Sequence, residues 1–474
     1  IIVGDIRRLF MAALVFDVPF SIGHHFGYNL DAASLGSLGG LDISITTLAV
    51  PALYGLWAIT ALARRGNGTR PWLRPAIPLA IYVGFAILSI RQASMASLSV
   101  YELFMLIQCV MIFVYIASTV RTREDVVFML VIISGAVLLE SMLMILTFVT
   151  KHDFAFAGIS TRLDAATASA NDVSRVGGTV GGPNAAAAFL DLLLAPILSL
   201  ALAPVKRMYR LIAGSAFVFG CIGLLLTLSR GGWIAVGVSC FIVVVYSWNR
   251  GWIPAFGPTA IIVGVAIALF VFRNELLVRF LHDNSGAASS RVPLMVLALH
   301  MIRDHPLWGV GANNFGINIA KYATPEFGAD WLYTVHNKYL LIWAEDGIFA
   351  LTAFITFLLA TVRNGIRCRQ INDQVLASIA IGLTTGLVAQ MFHMTVDILN
   401  GRQQVQLLVI VAGLIAALVA IKRDTDTEPT HENRWDRAER VRSSYRTQFM
   451  SRETPQLVPV PVRVDEVSRR YGRR

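Results

Sequence analysis

The chain has 474 residues and a formal net charge of +10; 55% of its residues are hydrophobic, only 15% are charged, and its mean hydropathy is +0.63. A soluble protein of this length would carry far more charge, so the composition excludes one. The apolar residues come in blocks of about twenty, the length that crosses roughly 30 Å of hydrocarbon. They run continuously instead of alternating, which excludes a transmembrane β-barrel.

In chain order, twelve spans are predicted at about residues 9–26, 41–63, 75–93, 99–120, 124–150, 184–203, 208–229, 231–249, 253–272, 339–362, 375–396 and 405–421. The expected fold is therefore all-α, a polytopic membrane protein of about 12 helices whose first block is an uncleaved helix. Arginine and lysine orient it. Loops on one side carry Arg64, Arg65, Arg70, Arg74, Arg121, Arg123, Lys206, Arg207, Arg210, Arg250, Arg363, Arg367 and Arg369. Short loops on the other carry only Arg91, Arg230 and Arg402. The positive-inside rule makes the first set cytoplasmic, together with both termini.

Two long segments, 151–183 and 273–338, fall on the opposite, periplasmic side. Residues 1–421 thus form one transmembrane domain. Residues 422–474 form a polar, mostly disordered cytoplasmic tail, whose 13 basic and 9 acidic side chains suit an anionic lipid surface. Cys109, Cys221, Cys240 and Cys368 lie in apolar blocks or a basic loop, so no disulfide framework is expected. The sequence has no zinc-type cluster, P-loop or dinucleotide fingerprint, which argues against an energy-coupled ATPase. No cofactor and no nucleic acid is expected.

Three side chains outside the spans look capable of chemistry. Arg291, in "SSRVPLMVLALHMIRDHPLWGVGANNF", starts a helix capped by Ser289 or Ser290 and heads an apolar stripe through Met295, Ala298 and Ile302; His300 and Arg303 face away. A cation in a helix's first turn opposes the dipole, and a bound anion would reverse that sign. An arginine snorkelling to the interface fits the local sequence equally well. Arg230, in "LTLSRGGWIAV", occupies a tight turn that Gly231 and Gly232 permit, beside Trp233. It is readable as an ordinary flanking arginine or as an anion contact. His336 stands next to Asn337 at the mouth of a span, where an imidazole could accept a proton near neutral pH or simply be structural. Asn337 is expected to bond that ring or to cap the helix, and Lys338 to anchor it at the interface. The carboxylates Glu102, Glu140, Asp191, Glu345, Asp346 and Asp397 are expected inside spans, each costing about 2.5–3.5 kcal/mol at mid-bilayer unless paired or hydrated. They leave open a different class, a twelve-span proton-coupled secondary transporter. Two related halves with interrupted helices would signal one, and the sequence shows no such symmetry.

Four stretches in order resemble the O-antigen ligase and O-antigen polymerase superfamily of bacterial inner-membrane glycosyltransferases. "GTVGGPNAAAAFLDLLLAPILSL" is similar to the family's Gly-x-Asn-x-x-Ala start of a central span, and "TLSRGGWIAV" to its Ser-Arg-Gly turn. The Arg291 stretch resembles its arginine helix with a following Pro-Leu-x-Gly-x-Gly turn. "HNKYLLIWAEDGIFAL" resembles its His-Asn-x-x-Leu...Glu-x-Gly signature, except that Asp346 stands where the family has an apolar residue.

The resemblance implies a GT-C-like membrane enzyme that moves glycan from an undecaprenyl-pyrophosphate carrier to an acceptor sugar hydroxyl on the periplasmic face. It implies metal-independent transfer with inversion and no cofactor. Arg230 and Arg291 would hold the pyrophosphate, His336 would serve the acceptor, and Asn337 and Asn184 would contribute to substrate binding. The acceptor, a lipid-linked repeat in a polymerase or a lipid A core in a ligase, is not legible. The tail, as a dock for other polysaccharide-assembly proteins, tips the reading slightly towards a polymerase.

Overall fold

A computed structural model describes residues 2–63, 71–156, 159–164, 174–254, 291–323 and 333–427, with isolated positions between 255 and 290. Nearly all of the expected ninth span, the Ser289–Ser290 cap and most of the expected tail lie outside the described residues. The chain separates into two compact units, Ile1–Lys422 and Arg423–Arg474, and almost every described residue belongs to the first.

The described helices are α1 (Ile2–Phe20), α2 (Leu30–Ser34), α3 (Ile45–Ala63), α4 (Ile77–Ser89), α5 (Ala96–Thr119), α6 (Arg123–Thr150), α7 (Pro183–Leu202), α8 (Arg207–Leu226), α9 (Arg230–Asn249), α10 (Arg291–Asp304), α11 (Phe315–Tyr322), α12 (Lys338–Cys368), α13 (Gln374–His393) and α14 (Arg402–Thr427). Among the described residues ten helices are long and apolar enough to cross a membrane: α3 to α9 and α12 to α14. The protein is an all-α, multi-pass membrane protein. Against the twelve expected spans, α1 is a helix of 19 residues outside that set of ten, and the ninth span falls outside the described residues.

The first two spans differ from expectation in a way hydropathy cannot register. α1 stops at Phe20, and the residues expected to continue it form β1 (Gly23–Phe26), antiparallel to β2 (Leu41–Ser44) with Gly23 opposite Ser44 and Phe26 opposite Leu41. The cause is a buried anchor. The Asp17 carboxylate, 1% exposed, accepts from Ile22 N (2.9 Å), Thr46 N (2.9 Å) and Thr46 Oγ1 (2.7 Å), so the end of α1 and the start of α3 share one acceptor. The long segment after α6 likewise holds two small hairpins, β3 (Ala155–Phe156) with β4 (Ile159–Ser160) and β5 (Arg162–Asp164) with β6 (Arg175–Gly178).

At the centre, α7 packs against α6, α8, α9 and α13, while α12 packs against α4 and α13. Gly382 and Gly386 of α13 lie so close to the backbone of Leu192, Ala195 and Pro196 that a Cβ on either would collide with it. Small residues at such crossings let membrane helices touch along their backbones. α1 ends, and α3, α5, α7, α9, α12 and α14 begin, at one end of the bundle. The other end carries the ion pairs Arg7–Asp125 (2.8 Å) and Arg123–Asp373 (3.2 Å).

Candidate functional site

His336 lies in the short stretch that feeds α12, braced on both sides. Thr334 donates from its backbone N (3.0 Å) and its Oγ1 (2.8 Å) to Leu35 O, which fixes the stretch against the loop after α2. On the other side, Lys338 N donates to Met394 O (2.9 Å) and Asp397 O (3.2 Å), and Tyr339 Oη donates to Met391 O (2.9 Å). Asn337 caps α12: its Oδ1 accepts from Tyr339 N and Leu340 N, both at 3.0 Å, and its Nδ2 donates to Thr395 O at 3.0 Å. Its amide holds the mouth together; capping was one of the two roles the sequence allowed.

His336 Nδ1 lies 3.1 Å from Thr334 O. A carbonyl oxygen only accepts, so Nδ1 carries the proton and the neutral ring keeps its lone pair on Nε2. Burial holds this imidazole below its ordinary pKa, and the Arg291 charge adds to that effect, while Asp397 and the Thr334 bond pull the other way. The ring is therefore neutral, and basic at Nε2, at neutral pH. Tyr333 packs against it with ring centroids 5.6 Å apart.

Asp397 was expected inside a span. Instead α13 ends at His393, where the carbonyls of Gln390, Phe392 and His393 accept the turn N–H groups of residues 394–397, so Asp397 lies in the segment before α14. It is 5% exposed; Oδ1 accepts from Ile398 N at 2.7 Å. Its charge acts on His336, His393 and Tyr333, and Arg291 acts on both histidines. The structure thus brings His336, Arg291 and Asp397 into one electrostatic neighbourhood.

Arg291 is the first described residue of α10. The buried face of that helix runs through Leu294, Leu297, Ala298, Met301 and Ile302, whereas Met295, expected in the stripe, is exposed; His300 and Arg303 face outward as expected. Arg230 stands in the first turn of α9. The tight turn before it is made by Leu228 at φ 53°, not by the glycines. These glycines serve packing: Gly232 lies against Ala187 of α7, and a Cβ on Gly231 would sit 3.8 Å from Val396 Cγ2, next to Asp397. The start of α9, beside Arg230, thereby lies next to Val396.

Asn184 is already engaged. Arg175 Nη2 donates to Asn184 Oδ1 (2.7 Å), and Arg175 Nε donates to Thr227 O (3.0 Å), three residues before Arg230. Arg175 lies just before the first motif stretch, which begins at Gly178, and so was passed over in the sequence. The signal was its place two residues before the Gly177–Gly178 pair that leads into α7.

Lys338 is not the interfacial anchor expected. It is 5% exposed, and its ammonium donates to Asn400 Oδ1. Two turns further on, α12 breaks. Gly347 adopts φ 85°, ψ 175°, where a Cβ would collide with the Leu307 backbone. The carbonyls that the break frees are taken by the loop between α10 and α11. Val310 N donates to Ala344 O (2.8 Å), Gly311 N to Glu345 O (2.9 Å), and Ile348 N completes the splice by donating to Pro306 O (3.1 Å). Glu345 Oε1 accepts from Phe315 N (2.9 Å) at the start of α11. Asp346 Oδ1 accepts from Ser89 Oγ (3.0 Å), whose oxygen accepts in turn from Ala312 N (3.0 Å). Glu140 accepts from Thr179 through both its backbone N (2.8 Å) and its hydroxyl (2.5 Å). Asp191 Oδ2 lies 2.6 Å from His393 Nδ1. Most of the supposedly stranded acids fasten one segment to another.

The bundle of membrane-length helices thus carries a buried histidine at the mouth of α12, with Arg291 within electrostatic reach of it and Arg175 and Arg230 at or near the starts of α7 and α9. Residues 215–355 match the family model described as O-antigen ligase, the superfamily that the four sequence motifs resemble. The matched region contains Arg230, Arg291, His336 and Glu345. Among curated proteins, none matches the chain significantly.

Proposed function

We propose that this protein transfers glycan from an undecaprenyl-pyrophosphate-linked oligosaccharide to an acceptor sugar hydroxyl, with inversion and without a metal. The carrying observation is the His336 mouth: the Thr334 bond puts the lone pair on Nε2, and the Arg291 charge reaches the same ring. His336 takes the acceptor proton as the hydroxyl attacks the anomeric carbon. Arg230 and Arg291, permanently charged, hold the pyrophosphate that departs from the opposite face. Arg175 holds Asn184 near the turn that leads to Arg230, and Asn337 keeps the mouth in shape.

In this reading the protein sits in a bacterial inner membrane with its site facing the periplasm and both termini in the cytoplasm, as the distribution of basic loops supports. Residues 1–421 are the catalytic domain and 422–474 a cytoplasmic extension. The acceptor is a second lipid-linked repeat in a polymerase or a lipid A core in a ligase. Replacing His336, Arg230 or Arg291 by Ala should abolish glycan product on a gel while the protein still accumulates in the membrane. Full product from all three variants rejects the proposal. In a deletion strain, single repeats attached to the core identify a polymerase, and polymer stranded on the lipid carrier identifies a ligase.

A further inference from the structure

A cavity with a mixed apolar and polar lining opens at the same end of the bundle, outside the region that matches the family. Its volume is about 310 Å³, within the size range of small-ligand sites and enough for one or two pyranose rings. Asp42, Tyr101, Phe104, Gln108, Arg402 and Gln403 line it, and Gly39, Gly40, Gly181 and Gly401 leave its walls open. Two short stretches of chain connect the cavity to the His336 mouth. The loop carrying Gly39 and Gly40 follows Leu35, whose carbonyl holds Thr334, and Arg402 follows the segment that carries Asp397 and Asn400.

The lining is built, not incidental. Arg402, 6% exposed, is held between Asp17 (3.1 Å) and Asp42 (2.9 Å) and also reaches Ser44 Oγ. Its Nε and Nη2, and Asp42 Oδ1, make no hydrogen bond among the described residues. These atoms are buried behind the lining, where the Arg402–Asp42 ion pair braces the cavity wall. Two carboxylates against one guanidinium make the site net negative, which disfavours an anionic ligand. Tyr101 and Phe104 supply apolar surface for the C–H face of a ring, and Gln108 and Gln403 supply amides at its edge.

We propose that this cavity is a sugar-binding subsite for a neutral pyranose of the glycan, either the terminus of the acceptor or the repeat on the donor. The proposal rests on the glycan-transfer reading and extends it to a region that reading leaves unused.

Arg402→Ala would disrupt the Asp17 anchor and the fold with it, so Phe104→Ala and Gln403→Ala are the informative variants; both leave the ion pairs in place. With the full chain in lipid nanodiscs, saturation-transfer NMR uses methyl mannoside, N-acetylglucosamine and maltose as neutral probes and galacturonate as an anionic control. Neutral probes should receive saturation from the wild type and galacturonate should not; Phe104→Ala should weaken neutral binding about tenfold. In reconstituted transfer, a similar rise in KM for the acceptor, with kcat kept, assigns the cavity to the acceptor, and a rise for the donor assigns it to the repeat. The proposal is overturned if no neutral probe binds the wild type, or if Phe104→Ala and Gln403→Ala change neither KM. Should His336→Ala retain full transfer while sugar binding is intact, it is the transfer reading that fails.

Discussion

The mouth of α12 and the break two turns further on carry similar side chains to opposite ends. At the mouth, His336 and Asp397 influence each other through space, and the histidine's proton is placed so that Nε2 stays basic. At the break, Glu345 and Asp346 are tied to Phe315 N and Ser89 Oγ, and the peptide groups around them are spliced into the neighbouring loop. Polarity in a membrane protein therefore does not mark chemistry by itself. What separates the two regions is that the mouth gathers a titratable imidazole within reach of opposite charges, whereas the break spends its carboxylates on splicing the backbone.

That contrast can be broken experimentally. The largest effect is expected from His336→Ala, which should lower the transfer rate by about 10²–10⁴-fold while the melting temperature stays near wild type; a collapse of the fold would make the mouth structural like the break. Gly347→Ala should act the other way and cost about 1–3 kcal/mol or more through backbone strain, read as loss of protein from the membrane or a lower melting temperature in detergent. Retained stability in that variant would mean the splice is not what holds α12. A pH profile sharpens the mouth's role. Because burial and Arg291 lower the His336 pKa, protonation removes the base only below the ordinary histidine value, so the rate should stay flat through neutrality and then fall about tenfold per pH unit on acidification. A fall beginning above pH 7 would assign the titration to another group. The smallest effect is expected from Asn337→Ala, which removes a helix cap worth about 1 kcal/mol and should lower stability slightly more than it lowers rate; the reverse ranking would place Asn337 in substrate binding.

The sequence made most spans legible, because about twenty consecutive apolar residues leave few alternatives, and α5 to α9 begin and end within a few residues of expectation. It also singled out His336, Arg230 and Arg291, which stand at the starts of α12, α9 and α10. Hydropathy could not reveal where the backbone finds its partners. The β1–β2 hairpin depends on Asp17 accepting from Thr46, 29 residues away, and the break at Gly347 depends on a loop that precedes it by some forty residues. Lys338 read as an anchor because lysine at a span end normally snorkels, and only the fold brings Asn400 to it. Arg175 and Asp397 were hidden for the same reason: each gains meaning from a contact that no local pattern encodes.

Asn313 bears on how much of this protein could work alone. Its side chain donates to Leu38 O (2.9 Å) and Leu98 O (3.0 Å) and accepts from Leu38 N (2.7 Å). The stretch recognisable as O-antigen ligase, residues 215–355, is therefore not modular. Excised, it would lose those partners together with Asp397, Arg175 and the α7 and α13 surfaces, and it would keep a recognisable motif without a working pocket. Transplanting specificity between such proteins would require exchanging the N-terminal hairpin and the α14 start along with the motif, since the parts that co-fold around it are the parts that shape what it can hold.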